Sequence, residues 1–289
     1  MCYTKDMKIG VLGAGSFGAA IAGVLRDNGH TVKFFDPYKY PAISLEETSR
    51  WAKILVLAVP STSVPALIKL MPKSAFQKPL LIATKGIMTL KYWEKFDYFE
   101  LISGPGFADD IRKRKRTRLT VAARGAEKGT TLSEDLLETS YLKFDKTEDL
   151  LGVALLSGLK NIYAIESGRQ NLAFGSRDFK DFVARAAKES ERFLLLNGGF
   201  VETVRKNAGL GDLVLTCGGE KSRNFCFGTL LGGRRGNLER KRLVKNFLKE
   251  TTVEGVAAVK ELERRDLFIP RENEILKDAI KRIKSVTKH

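Results

Sequence analysis

The segment GAGSFG sets Gly13, Gly15 and Gly18 in the spacing GxGxxG, directly after the apolar run KIGVL and at the head of a helical pattern. That arrangement suits a dinucleotide. The first glycine permits a tight turn, the second lets the backbone approach a pyrophosphate, and the third allows close helix-sheet packing. Free N–H groups at the helix start then face the anion. Asp36 ends the next apolar run, TVKFF, where a carboxylate would accept hydrogen bonds from ribose hydroxyls and repel a 2′-phosphate, favouring NAD over NADP. Asp36 also reads as a plain turn residue ahead of Pro37, and Lys33 or Lys39 would attract a 2′-phosphate.

Hydride exchange at a hydroxyl-bearing carbon needs a group that moves the hydroxyl proton. Histidine is scarce: only His30, beside the end of the first helix, and the last residue, His289, are present. The general acid/base is therefore expected to be lysine, which burial and neighbouring cations bring into a useful range. Lys85 follows the apolar run LLIAT, at the carboxyl edge where ligands of open α/β sheets bind. Lys160 lies in LLSGLKNIYAI, where an isolated charge is costly. Most lysines are solvated surface charges; the apolar flanks set these two apart. Asp212 sits in GLGDLVLT, and Ser222, Arg223 and Asn224 open a helical segment, KSRNFCFG. A serine N-cap, free first-turn N–H groups and an arginine fork together suit a phosphate, although an ordinary capped helix has the same signature.

Positioning these groups requires two kinds of architecture. Short buried runs, Met7 to Leu12, Thr31 to Phe35, Lys53 to Val59, Pro79 to Thr84, Phe99 to Ile102 and Leu119 to Ala123, read as strands alternating with amphipathic stretches. Ser16 to Asn28 is helical in pattern, with Gly29 as its left-handed cap. The fold class is α/β, a doubly wound parallel sheet covered on both faces, followed by a second, all-helical domain. The boundary is placed at 148/149, after the connector DKTED. Beyond it the pattern predicts helices over Leu150 to Ser167, Asp178 to Leu196, Arg223 to Gly232, Leu238 to Lys249, Val253 to Arg265 and Glu272 to Ser285.

Composition bounds the rest. The 289 residues carry 50 Lys+Arg against 34 Asp+Glu, a net charge of +16, with 43% hydrophobic residues. Enough apolar material for a core excludes disorder and disulfide miniproteins. Cys2, Cys217 and Cys226 are too few and too scattered for a metal cluster or a disulfide framework, which points to a reducing cytoplasm. No run approaches the roughly 18 apolar residues that span a bilayer, and the first residues lack the apolar stretch of a secretory signal. The positive surplus suits nucleic acid, anionic membranes or acidic metabolites equally. It is spread along the chain without an aromatic-interleaved motif, so no nucleic-acid partner and no membrane insertion are expected.

In order, GAGSFG, AVPS (58–61), ATKG (83–86), SGPGFA (103–108), LKN (159–161), GLGDLVLT (209–216), SRN (222–224) and VEG (253–255) resemble the NAD(P)-dependent glycerol-3-phosphate dehydrogenases. The resemblance implies an N-terminal Rossmann domain, a helical C-terminal domain, and interconversion of dihydroxyacetone phosphate and sn-glycerol 3-phosphate with NAD or NADP. It implies Lys160 as proton donor and acceptor, Lys85 near nicotinamide and substrate, and Asp212 orienting Lys160. Ser222, Arg223 and Asn224 would hold the phosphate, with Gly104 near the substrate. Gly13, Gly15, Ser16, Phe17, Gly18, Asp36, Lys85, Ala108, Arg223 and Glu254 would hold the cofactor. A homodimer in the cytoplasm serving phospholipid synthesis is implied as well.

The sequence departs from the family in three places. Gly106 replaces a hydroxyl residue of SGPSF or SGPTF, so one substrate hydrogen bond is in doubt. The stretches after the second strand and between ATKG and SGP are short, so the first domain looks trimmed. The basic run Arg112 to Arg118 replaces an apolar segment; it reads as a solvated helix face or as an attractor of anions, weakened by salt. Two other readings stay open: a related two-domain dehydrogenase of another small hydroxy acid, and a non-catalytic basic binding protein on the same fold.

Overall fold

The structure, a computed structural model, describes residues 6–84, 90–233 and 237–287. Contacts divide the chain into two units that part between Leu150 and Leu151.

The first unit is built on a seven-stranded sheet of β1 (Lys8–Leu12), β2 (Thr31–Phe35), β3 (Ile54–Leu57), β4 (Leu80–Ile82), β5 (Phe99–Ser103), β6 (Thr117–Ala122) and β7 (Leu142–Thr147). Its order is β2-β1-β3-β4-β5-β6-β7. Strands β1, β3 and β4 are buried along nearly their whole length, which is why they read as unbroken apolar runs. The first five strands are parallel, but β6 runs antiparallel to β5, and β7 is parallel to β6. The sheet is therefore mixed where a parallel one was expected. Strand β7 is not among the expected strands because half of LKFDKT is charged, and its last three residues fall in the connector DKTED. The standard dinucleotide-fold order places another strand outside β2, and among the described residues β2 is the rim.

Helices α1 (Ser16–Asp27), α2 (Leu45–Trp51), α3 (Val64–Leu70), α4 (Ala108–Arg112) and α5 (Leu132–Leu137) cover this sheet. Ile21, Leu25 and Leu136 pack on Ile9, Val56, Leu81 and Val121, all buried. The end of α1 has the expected cap, with Gly29 at φ 85° and its N–H on the Arg26 carbonyl. Glu100 anchors α5: its buried carboxylate accepts from the Leu132 and Ser133 N–H groups at 2.7 and 2.8 Å, satisfying donors that a helix start leaves open.

The basic run spans the end of α4, the turn after it and the start of β6. Arg114 adopts φ 53°, the Lys115 N–H bonds the Asp110 carbonyl, and the Arg114 N–H bonds that of Ile111. This is a Schellman closure with arginine at the left-handed position glycine usually holds. Arg112, Arg114 and Lys115 pair with Asp109, Asp27 and Asp110. Lys113, Arg116 and Arg118 are exposed as expected, but in the turn and on β6 instead of on a helix face, while the other three are tied to local acids.

In the second unit α6 (Leu150–Arg169) is buried from Gly152 to Gly168. Around it lie α7 (Arg177–Leu196), α8 (Asp212–Cys217), α9 (Arg223–Gly232), α10 (Asn237–Glu250), α11 (Glu254–Arg264) and α12 (Glu274–Thr287). Two glycines set the approach of α6 and α9. A Cβ on Gly168 would stand 2.1 Å from the Phe225 carbonyl oxygen, and one on Gly228 would stand 2.0 Å from that of Ile165. Backbone therefore rests on backbone, and α9 has one possible height along α6. Buried Glu189 of α7 accepts from the Ile275 and Leu276 N–H groups at 2.9 and 3.0 Å, which docks the last helix.

Candidate active site

In the first unit the turn after β1 carries the dinucleotide signature. Gly13 has φ 105°, and a Cβ there would meet the Ala58 carbonyl oxygen at 2.7 Å. A Cβ on Gly18 would meet the Gly13 oxygen at 2.1 Å. The protein's own packing thus accounts for both. Gly15 differs: its Cβ would meet nothing within 4 Å, and Gly15 and Ser16 are exposed at the start of α1. Space is kept open over the second glycine, where a ligand's backbone approach requires it. Phe17 is half-buried in the first turn of α1.

Asp36 is held by the protein itself. One carboxylate oxygen accepts from the Ala14 N–H at 2.9 Å, and the other from the N–H groups of Tyr38 and Lys39 at 3.0 and 3.1 Å. The turn-residue reading describes these contacts: Asp36 closes the turn after β2 and also ties that turn to the glycine loop. The Lys39 ammonium reaches the Ala14 carbonyl at 2.7 Å, a contact the sequence did not suggest. Gly104 has φ 144° and lies so close to Leu119 that a Cβ would stand 3.0 Å from its Cα. A Cβ on Gly106 would stand 3.0 Å from the Leu119 side chain, so the residue that departs from the family pattern leaves room for Leu119. Ala108 opens α4. Lys85 lies outside the described residues.

In the second unit Lys160 and Asp212 come together as an ion pair, with side chains 3% and 1% exposed. The pairing explains how a lysine survives in the middle of α6. Asp212 reaches it because Asn207–Gly211 forms a π-type turn leading into α8, with Gly209 pressed against Val204. The Thr216 hydroxyl donates to the second Asp212 oxygen at 3.2 Å. One residue on, Asn161 accepts from the Asn224 amide at 2.8 Å, and the Asn224 oxygen accepts the Gly255 N–H at 2.9 Å. Three helices are thereby locked beside Lys160. Ser222 is the N-cap of α9, accepting from the Phe225 N–H, and Arg223 is exposed at its first position. Glu254 is buried at the first position of α11.

Asn161 and Thr216 were not singled out from sequence. Asn161 had a signal, a second polar residue beside Lys160 in an apolar helix; Thr216 had none. Among the described residues no group of three or more metal-ligating side chains is assembled.

A family model described as the C-terminus of NAD-dependent glycerol-3-phosphate dehydrogenase matches residues 149–278, and the corresponding N-terminus model matches residues 8–44. A glycerol-3-phosphate dehydrogenase [NAD(P)+] of Oceanobacillus iheyensis is 30% identical over 292 residues, covering 88% of this chain and 83% of the relative. One from Afipia carboxidovorans is 32% identical over 258 residues, covering 78% and 79%. The crystal structure of the Coxiella burnetii glycerol-3-phosphate dehydrogenase shares the fold, with a TM-score of 0.75 at 21% identity over 98% of this chain and 99% of that one. The glycine loop, the paired lysine and aspartate and these matches along most of the chain place the protein in the NAD-dependent glycerol-3-phosphate dehydrogenase family.

Proposed function

We propose that the protein interconverts dihydroxyacetone phosphate and sn-glycerol 3-phosphate, with Lys160 as the general acid/base. The observation that carries the reading is the buried Lys160–Asp212 pair. A charge pair in an apolar helix is a poor source of stability, so its presence calls for a chemical task. In the reducing direction the Lys160 ammonium donates its proton to the substrate's carbonyl oxygen, and it takes that proton back in oxidation. Asp212 holds the ammonium in place and is itself fixed by Thr216. Asn224 is spent on Asn161 and Gly255, which makes it a positioning residue for the start of α9. The exposed Arg223 fork and the Ser222 hydroxyl are the groups offered to the phosphate. Binding at that remote end orients the reacting carbon. Lys85 keeps the role near substrate that the family resemblance gives it.

The first unit fits a dinucleotide: open space over Gly15, a helix start beside it, and a loop fixed by Asp36. Bound NAD(H) or NADP(H) would supply or accept the hydride. Gly13, Gly15, Ser16, Phe17 and Gly18 would hold its pyrophosphate side and Ala108 would line the site. Glu254 and Arg223 keep the cofactor contacts that the family resemblance gives them. The Asp36 carboxylate favours NAD, and Lys39 beside it moderates that preference. A homodimer supplying glycerol phosphate for phospholipid synthesis in the cytoplasm completes the reading, on the strength of the resemblance. No helix among the described residues is long and apolar enough to cross a membrane. The test is spectrophotometric: dihydroxyacetone phosphate should drive oxidation of NADH or NADPH, and Lys160→Ala should abolish it. Absence of turnover with both cofactors refutes the proposal.

A further inference from the structure

The basic run was not absorbed by this function, and one of its members points at the glycine loop. Arg112, the last residue of α4, donates to the Ser16 carbonyl at 3.2 Å. Ser16 is the first residue of α1, next to the open space over Gly15. The Schellman closure through Arg114 and Lys115 fixes the end of α4, and buried Ile111 pins it to the core. The guanidinium is therefore presented by a closed turn, with its side chain 45% exposed.

Its location is electrostatically odd. A helix start carries partial positive charge and unsatisfied N–H groups, so a cation there is disfavoured unless an anion is close. Asp109, paired with Arg112, is one such anion, and it occupies part of a fork with five donors. A dinucleotide pyrophosphate is the other, and it belongs to the same helix start. We propose that Arg112 is a pyrophosphate ligand of the bound dinucleotide, its charge adding to the N–H groups of the glycine loop and Asp109 restraining it in the free protein. The proposal rests on the dehydrogenase reading and adds a binding residue to it.

The experiment is a fluorescence titration of the full chain with NADH at low and high salt, and of ADP and adenosine by competition. Arg112→Met should raise the NADH and ADP dissociation constants about threefold to tenfold, the effect of one partly exposed charge. Adenosine, which has no phosphate, should bind both proteins equally. Arg112→Lys should recover part of the loss, and Asp109→Asn should tighten NADH by freeing the guanidinium. All differences should shrink at high salt. Unchanged NADH binding by Arg112→Met, equal losses for adenosine and ADP, or weaker binding by Asp109→Asn would overturn the role of Arg112 while leaving the dehydrogenase reading intact. A wild-type chain that binds no NADH and shows no turnover overturns both.

Discussion

Removing one member of the Lys160–Asp212 pair should hurt the fold far more than removing both. With side chains 3% and 1% exposed, neither charge has bulk water to fall back on once its partner is gone. Breaking such a pair costs about 3–5 kcal/mol, whereas exchanging it for apolar residues of similar volume is close to neutral or gains about 1–4 kcal/mol. Domains hold roughly 5–15 kcal/mol in total, so Asp212→Leu or Lys160→Met alone should consume about a fifth or more of the margin. At about 2–4 °C per kcal/mol, each single change lowers the melting temperature by roughly 6–20 °C. The joint variant should melt near the wild type. Urea unfolding of the four proteins gives the double-mutant cycle, and initial rates on the same samples give activity. Lys160→Met should lose about 100-fold to 10,000-fold in turnover, and the joint variant should stay equally inactive although refolded. Additive destabilisation, with the joint variant the least stable, refutes the argument that the pair is kept for chemistry.

The two glycines at the head of α1 should behave oppositely. Gly15→Ala, with φ −64° and open space around its Cβ, should leave stability within about 0.5 kcal/mol and weaken NADH binding; Gly18→Ala should unfold the first unit, read by circular dichroism. Arg114→Gly should stabilise the protein by about 1 kcal/mol in urea, because the left-handed position is relieved and only an exposed ion pair to Asp27 is lost. Burial raises the Glu189 carboxyl above its ordinary value, so the folded chain binds this proton more tightly than the unfolded one. Its contribution is full below the ordinary carboxyl range and is lost as pH rises through the raised value. The advantage of wild type over Glu189→Gln should therefore shrink as pH rises above the ordinary carboxyl range, and an advantage that grows over that rise contradicts the burial argument.

Much of this fold was legible because its signals are local. KIGVL, GAGSFG and Gly29 specify a strand, a tight turn and a capped helix within one stretch of chain, and all three were found where expected. Helices α6, α7 and α9 to α12 were legible for the same reason, through period and glycine punctuation, whereas α8, a short helix led in by a π-type turn, was not among the expected helices. Strand β7 and the reversal at β6 were not, since strand direction is set by pairing between distant segments and the charges of LKFDKT mask its alternation. In the site, Lys160 declared itself by being a cation among leucines. That Asp212 would be its partner came from family resemblance, because 52 residues and a π-type turn separate them. The tie between Asp36 and Ala14 had no sequence signature, since either fate of that carboxylate is written with the same residues.

The bare rim at β2 has a consequence for behaviour in concentrated solution. Thr31 N–H and the Phe35 carbonyl bond toward β1, which turns the backbone groups of Val32 and Phe34 outward. Such a rim is a template on which another copy can add its own strand. Here the template is short, is ended by Pro37, and carries Lys33 at its centre, paired to Glu47 and lying with Lys8 against Trp51. A net charge of +16 adds repulsion against pairing of two such rims. Among the described residues, protection of this rim against strand addition thus rests on lysines and on overall charge, a defence that salt weakens and a covered edge would not need.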